Sequence, residues 1–368
     1  MTVRVNKSSF NIREKLSELG RKFGLKGSEL AAAETVQEAR DIVSAGRKNL
    51  VINGAMTVAQ RGTSQTNINT SGYFTLDRQQ VAFYPQGAVL TESQSTDAPD
   101  DFAYSRKLEV TTAGSTSGWL ILAYHFEGQD LYSINKGTSA AKPLTLSFWV
   151  KADHTADYVV ELIDTDNDRQ ISYLYTINAA NTWQKVEWHI PPDTTGAFTI
   201  DNNESLQISW FLDTGGIFSG GTPNRTSWAA RGSNANRAVG CSDFLDTVGK
   251  EFYLTGVQLE VGSNATDFEH RSYGEELGLC SRYFQRTERS RGSGNRDAGA
   301  NVCAFSHKLN TTMRTTPNCE MITQGSDYNY SSKSFTNVRP DHVGVLITIT
   351  NADSYWYYNH GYTADAEI

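Results

Sequence analysis

The stretch LTLSFWVKA, residues 144–152, decides how the rest of this chain is read. Leu144, Leu146, Phe148 and Val150 recur at every second position, the period of a strand with one buried and one wet face. DYVVELIDT (157–165), TWQKVEWHI (182–190), SLQISWFLD (205–213) and EFYLTGVQLEV (251–261) follow, with Asn, Asp, Gly and Pro filling the intervals. Short alternating strands between turn signals predict an antiparallel sandwich or barrel, not βαβ units. The 17 tyrosines, 16 phenylalanines and 30 glycines agree, since aromatic side chains fit a pleated surface and glycine supplies bends.

Working outward, NLVINGAMTVAQRGTS (49–64) reads as the first strand of this sandwich and its turn. The residues before it differ in character. Ser9 can cap a helix in which Ile12, Leu16 and Leu19 share one face, with Phe10 at its start. A second helix begins near Ser28 or at TVQE (35–38), which has the capping-box form, and ends at Gly46. Neither is long enough to be stable alone, so this segment must pack on the following domain, on copies of itself or on another protein. Towards the other end, RSYGEELGLCSRYFQ (271–285) reads as a short helical connector with Leu277, Cys280 and Phe284 inward. A second β region runs through HVGVLITITN (342–351) and SYWYYNHGYTADAEI (354–368), with SRGSGNRDAG (290–299) as an exposed loop. The expected fold class is therefore mainly β. It comprises a helical segment (1–48), a β-sandwich (49–270), a helical connector (271–289) and a smaller C-terminal β-sandwich domain (290–368).

A net charge of −8 excludes the basic stripe of a nucleic-acid binder. No window reaches the run of apolar residues that a membrane span needs, and MTVRVNKSSF lacks the apolar core of a secretory signal. Cys241, Cys280, Cys303 and Cys319 are scattered without a CxxC, so neither a disulfide framework nor a zinc site is expected, and synthesis in a reducing cytoplasm is.

DTDND (164–168) has oxygen ligands at alternate positions, as a calcium loop does. Arg169 and Tyr175, however, stand where such a loop needs Gly and Glu, so it reads as a hairpin turn. No metal or cofactor is expected. Glu275 and Glu276 are adjacent, and Asp97, Asp100 and Asp101 share a loop with proline. Neither group has the placement of two carboxylates across a glycosidic bond. GxSxG, HExxH and phosphate-cradling loops are absent, and the chain is read as no enzyme. Binding is better supported, because saccharides are held by aromatic faces with Asn, Asp and Arg at the hydroxyls. The long segment 215–243 carries Arg225, Trp228, Arg231 and Asn236, with Trp228 either at a site or plugging the sandwich end. In SYWYYNHG (354–361), Tyr355, Tyr357 and Asn359 alternate with Trp356, Tyr358 and His360, so one set faces a core. Trp149, Trp183, Trp188 and Trp210 lie in alternating strands and read as core or near-core. His270 and His360 read as ordinary hydrogen-bonding side chains.

AGRKNLVINGAMTVAQRGTS and FYLTGVQLEVGSNATDFEHRSYGEELGLCSRYFQ resemble stretches of tail-fibre and related virion proteins of tailed bacteriophages, of the marine and cyanobacterial type. MRTTP (313–317), the ending YTADAEI, and the N-terminal SFNIREKLSEL and GSELAAAETVQEARDIVSAG are similar to segments in the same family, in the same order. The resemblance implies a virion appendage that is a homotrimer. Residues 1–48 would attach it to other virion proteins through Phe10, Ile12, Leu16 and Leu19. The sandwich at 49–270 would be a jelly-roll β-sandwich similar to carbohydrate-binding modules, and a distal β domain would follow, with a host-surface polysaccharide as partner. In such a trimer the 354–361 strip is expected at the subunit interface. The alternatives are a head fibre or capsid-decoration protein, or a polysaccharide depolymerase.

Overall fold

Alternation along the chain becomes two stacked layers. In the computed structural model, which describes residues 48–295, 302–322, 328–349 and 355–368, the first strands are β1 (Ser64–Ile68), β2 (Gly72–Tyr73), β3 (Gln80–Tyr84), β4 (Val89–Ser95), β5 (Ser105–Thr112) and β6 (Trp119–Glu127). There follow β7 (Leu144–Ala152), β8 (Ala156–Asp164), β9 (Arg169–Ile177), β10 (Gln184–Ile190), β11 (Glu204–Thr214), β12 (Ala229–Ala230) and β13 (Glu251–Val261). They form a six-stranded sheet, β1-β4-β5-β13-β7-β10, and a seven-stranded sheet, β12-β9-β8-β11-β6-β3-β2. The chain is mainly β, and the two sheets form the antiparallel sandwich that the alternation predicts, in the jelly-roll form that the resemblance implies. Inward rows meet in register: Trp188 is opposite Leu146, and Trp210 lies between Val160 and Leu122. Phe148 then crosses from the first sheet to meet the rings of Trp210 and Tyr175 edge-on, at 5.7 and 5.4 Å between centroids. Each such fully buried side chain stabilises the fold by about 1.5–3 kcal/mol.

The strand expected within 49–64 does not form: the first strand begins only at Ser64. Residues 49–59 follow an irregular path, with φ of 59° at Asn53 and 57° at Met56, although Leu50, Val51, Ile52, Met56 and Val58 are all buried. Two asparagines replace the missing ladder. The Asn49 side-chain oxygen accepts from the backbone of Val51 (2.9 Å) and Leu259 (3.1 Å), and the Asn53 amide donates to the carbonyls of Val58 (2.8 Å) and Asp77 (3.0 Å). At Gly54 a Cβ would lie 2.1 Å from the Val257 carbonyl oxygen, so this close approach admits only glycine.

Helix α1 (Tyr273–Cys280) starts with a capping box between Ser272 and Glu275 and buries Cys280 against the sandwich. Phe284 does not close its inner face. It opens β14 (Phe284–Asn295), so 284–289 is strand rather than connector, and the first part of the expected 290–299 loop continues that strand. Pairing with β19 (Tyr355–Asp365) overrides the loop-like Gly, Ser and Arg composition. With β15 (Val302–Lys308), β16 (Asn318–Ile322), β17 (Tyr330–Arg339) and β18 (His342–Ile349), two three-stranded sheets arise, β14-β19-β16 and β15-β18-β17. They face each other through Val345 and Ile347 on one side and Trp356 and Tyr358 on the other, with Phe305 stacked on Trp356. On β19, Trp356, Tyr358 and His360 are buried while Tyr355, Tyr357 and Asn359 face outward, the parity expected from the sequence.

Asn49–Ile368 form one unit, held at the seam by ionic contacts. Arg78, only 1% exposed, pairs with Glu367, donates to the His125 carbonyl, and lies 3.5 Å from the centre of the Tyr283 ring. Arg314 donates to the carbonyls of Asn202 (2.7 Å) and Ala366 (3.0 Å), and Arg282 pairs with Glu127 at 2.7 Å. The helices expected before Asn49, with Phe10, Ile12, Leu16 and Leu19, lie outside the described residues.

Candidate functional site

Each sheet has an outer face, and the two are treated differently. On the seven-stranded sheet the outward residues Ile121, Val159 and Phe211 are apolar, and segment 215–243 covers them with Phe218 and Ala238. Arg237 locks that cover by donating to both carboxylate oxygens of the buried Glu161, the shortest contact being 2.8 Å. Burial pushes the Glu161 carboxyl up to about 7, against the opposing pull of Arg237.

The outer face of the six-stranded sheet carries aromatic and charged side chains instead. Parity puts Trp149 and Lys151 of β7 on this face, because Phe148 and Val150 point inward. Register then aligns Lys151, Tyr253 and Lys107 in one row across β7, β13 and β5, with Ser93 of β4 next. Trp183, just before β10, completes the row: its ring meets that of Tyr253 edge-on at 6.1 Å and its Nε1 donates to Asp97 at 3.0 Å. The Lys151 ammonium lies 4.3 Å from the centre of the Tyr253 ring and 5.5 Å from that of Trp183, and pairs with Asp97. Lys107 bridges Glu251 (2.6 Å) and Glu109 (3.1 Å), and the Tyr253 hydroxyl donates to Glu251 at 2.6 Å. Trp149 is half-buried one row along, opposite Thr255. There Gly256, at φ 61°, lets Phe102 and the indole close in to 2.8 Å from where a Cβ would stand.

These groups fix one another. Burial works against ionisation of Asp97, but hydrogen bonds from Lys151 and Trp183 outweigh it and hold the carboxyl below its usual range. Burial also opposes the charge on Lys107, and its bonds to Glu251 and Glu109 more than compensate, raising its pKa. The result is a preorganised strip of donors and acceptors around half-buried indole faces, where hydroxyl groups and ring C–H surfaces find partners together.

No protein-family model matches the sequence, and no curated protein matches it. Several solved structures are similar to it. One is the enzymatically active domain of tailspike protein 4 of bacteriophage CBA120, at 12% identity and a TM-score of 0.31, covering 58% of this chain and 21% of that one. The chain thus spans about a fifth of that domain's length. A family 61 carbohydrate-binding module in complex with β-1,4-galactotriose is similar at 8% identity and a TM-score of 0.32, covering 58% of this chain and 99% of the module. The family 11 module from Clostridium thermocellum, in complex with a β-1,3-1,4-mixed-linked tetrasaccharide, stands at 12% and 0.26, covering 55% and 98%.

The residues expected from segment 215–243 are differently placed. Trp228 is buried, its ring nitrogen donating to the Pro191 carbonyl at 3.0 Å, which is the plug alternative. Arg225 donates to the Val239 carbonyl at 2.6 Å, and the Asn236 side chain accepts from the backbone of Thr222 at 2.9 Å, so both brace the cover. Arg231 is the more open, paired with Asp168 at 2.8 Å. Trp188 and Trp210 are core, and Trp149 and Trp183 are half-buried on the outer face, which is the near-core side of the expectation. The signal was present: Trp149 is out of phase with Leu146, Phe148 and Val150.

DTDND (164–168) is the turn joining β8 and β9, and a cation does sit beside it: the Lys136 ammonium. Lys136 Nζ lies 2.5 Å from Asp164, 3.0 Å from Asp193, and 2.9 and 2.8 Å from the carbonyls of Thr195 and Gly196. Burial works against the charge on Asp193, but bonds from Arg169 and Lys136 keep its carboxyl below the usual range.

Proposed function

We propose that this chain is a non-enzymatic, saccharide-binding subunit of a phage tail fibre, and that the outer face of the six-stranded sheet holds a host-surface glycan. The observation that carries the binding reading is the row of Trp183, Lys151, Tyr253 and Lys107, with Asp97 and Glu251 fixed beside it. The half-buried indole faces of Trp183 and Trp149 accept the apolar side of a sugar, with the buried Tyr253 ring and Lys151 as their support, and the fixed charges bond its hydroxyls. Binding without cleavage is the consistent choice, because a glycosidase needs a carboxyl held protonated near neutral pH. Asp97 is held ionised, and Glu109 and Glu251 share Lys107. The carboxyls that burial does push up among the described residues, Glu161 to about 7, Asp77 to about 6 and Asp213, all belong to buried residues.

Placement in a virion rests on the resemblance of the quoted segments, with residues 1–48 as the attachment to other virion proteins and a homotrimer as the assembly. Deleting residues 1–46 should yield a folded product that no longer joins particles. Immunogold labelling of virions separates tail fibre from head decoration. For the site itself, Trp183→Ala should weaken binding to whichever glycan an array identifies by about tenfold or more, the loss expected of a central aromatic anchor. Undiminished binding by that variant would sink this site assignment.

A further inference from the structure

A cavity of about 330 Å³ opens where the sandwich meets the C-terminal sheets, and it lies apart from the strip just described. Its volume is at the lower end of small-ligand sites. One wall is Arg61 and Tyr73 of the sandwich. The other is the outer face of the β14-β19-β16 sheet, where register sets Arg286, Thr363 and Glu320 in one row and Phe284, Asp365 and Asn318 in the next.

The wall is built rather than incidental. The Arg61 side chain is 9% exposed, with its guanidinium 3.7 Å from the centre of the Phe284 ring and its nitrogens 3.0 Å from Asp365, 3.4 Å from Glu367 and 3.5 Å from Asp77. Tyr73 is fixed by its hydroxyl, which donates to the Ile368 carbonyl at 2.9 Å. Two rings thus form an apolar margin to a polar floor.

The chemistry of that floor selects a class of ligand. Arg61, Arg286 and Asn318 offer donors, Asp365 and Glu320 offer acceptors, and Thr363 offers both. A phosphate or carboxylate would meet Asp365 and Glu320, and a cation would meet Arg61 and Arg286. A neutral hydroxyl donates and accepts at once, so a polyhydroxylated ring is served by both signs together. We propose that this cavity is a second saccharide site, taking a single neutral sugar ring, such as a chain end or a branch. It shares no residue with the Trp183 strip and does not depend on it.

The test uses the full chain with glucose, galactose, mannose, xylose and N-acetylglucosamine as probes, followed by saturation-transfer NMR titration at millimolar concentrations. Asn318→Ala and Thr363→Val remove hydrogen-bonding groups that are partly or fully exposed, so folding is expected to be retained, and a thermal unfolding midpoint near that of wild type checks it. Measured in the Trp183→Ala background, which takes the strip out of the readout, the expected result is saturable binding of at least one probe, weakened about tenfold when Asn318→Ala and Thr363→Val are added. No saturable binding of any probe in that background, binding unchanged by the added double substitution, or displacement by inorganic phosphate overturns the proposal.

Discussion

Replacing Lys136 by methionine keeps most of the side-chain volume and removes only the ammonium. The two carboxylates and two carbonyls that surround it then lose their shared donor, with Asp164 and Asp193 side chains 0% and 5% exposed. Breaking a buried ion pair by deleting one partner costs about 3–5 kcal/mol. Arg169 still holds Asp193 at 2.7 Å, so the loss should fall at the lower end, about 3 kcal/mol. The emptied cage retains four oxygens where calcium prefers six to eight, which makes a millimolar site. Calcium at about ten times such a Kd then restores about 1.4 kcal/mol. Urea unfolding of Lys136→Met with calcium chloride, against sodium chloride at matched ionic strength, reads both terms. A loss below about 1 kcal/mol, or equal recovery in both salts, refutes the view of Lys136 as an internal cation in an oxygen cage.

Gly54→Ala places a methyl group against the Val257 carbonyl oxygen and should cost about 3 kcal/mol or more by thermal unfolding, since backbone on both sides must move. Glu161 sets a slope of its own. Its folded-state carboxyl titrates near 7 and an unfolded one near 4.5, so the native state binds the extra proton between these values. Stability contributed there falls as pH rises from about 4.5 to about 7, and Glu161→Gln should flatten that part of the unfolding profile. Asp193 acts oppositely: its depressed pKa adds stability above the ordinary carboxylate value that is lost as pH falls through its folded value. If the outward tyrosines of the C-terminal sheet form the subunit interface of the proposed trimer, Tyr328→Ser with Tyr355→Ser should shift sedimentation from trimer to monomer, both rings being at least half exposed. An unchanged sedimentation coefficient counts against that interface.

Strand parity made much of the sandwich legible. Leu144 to Val150 announced a buried face, and the same parity set Trp356 and Tyr358 inward on β19. It also contained the orientation of Trp149, which the reading as core or near-core left open. Other features have no local signature. The apolar run at 50–58 looks like a strand, but Asn49 and Asn53 satisfy the backbone that a ladder would have paired, and only the tertiary partner Leu259 reveals it. The cavity wall joins Arg61 to Asp365, and the oxygen cage joins Lys136 to Asp164 and Asp193, pairings that no spacing rule anticipates. Trp228 carried the composition of a binding loop and the burial of a plug, and only the hydrogen bond to Pro191 separates these.

The irregular segment against β13 also has a temporal consequence. Asn49 accepts its bond from Leu259, 210 residues later in the chain. At about 5–20 residues per second, synthesis leaves Leu50, Val51, Ile52, Met56 and Val58 without their final partner for about 10–40 s. Until β13 emerges the nascent chain carries an uncovered apolar stretch near its start, a binding site for holdase chaperones and a seed for aggregation. Slower growth at lower temperature, or chaperone co-expression, should therefore act on soluble yield through this segment.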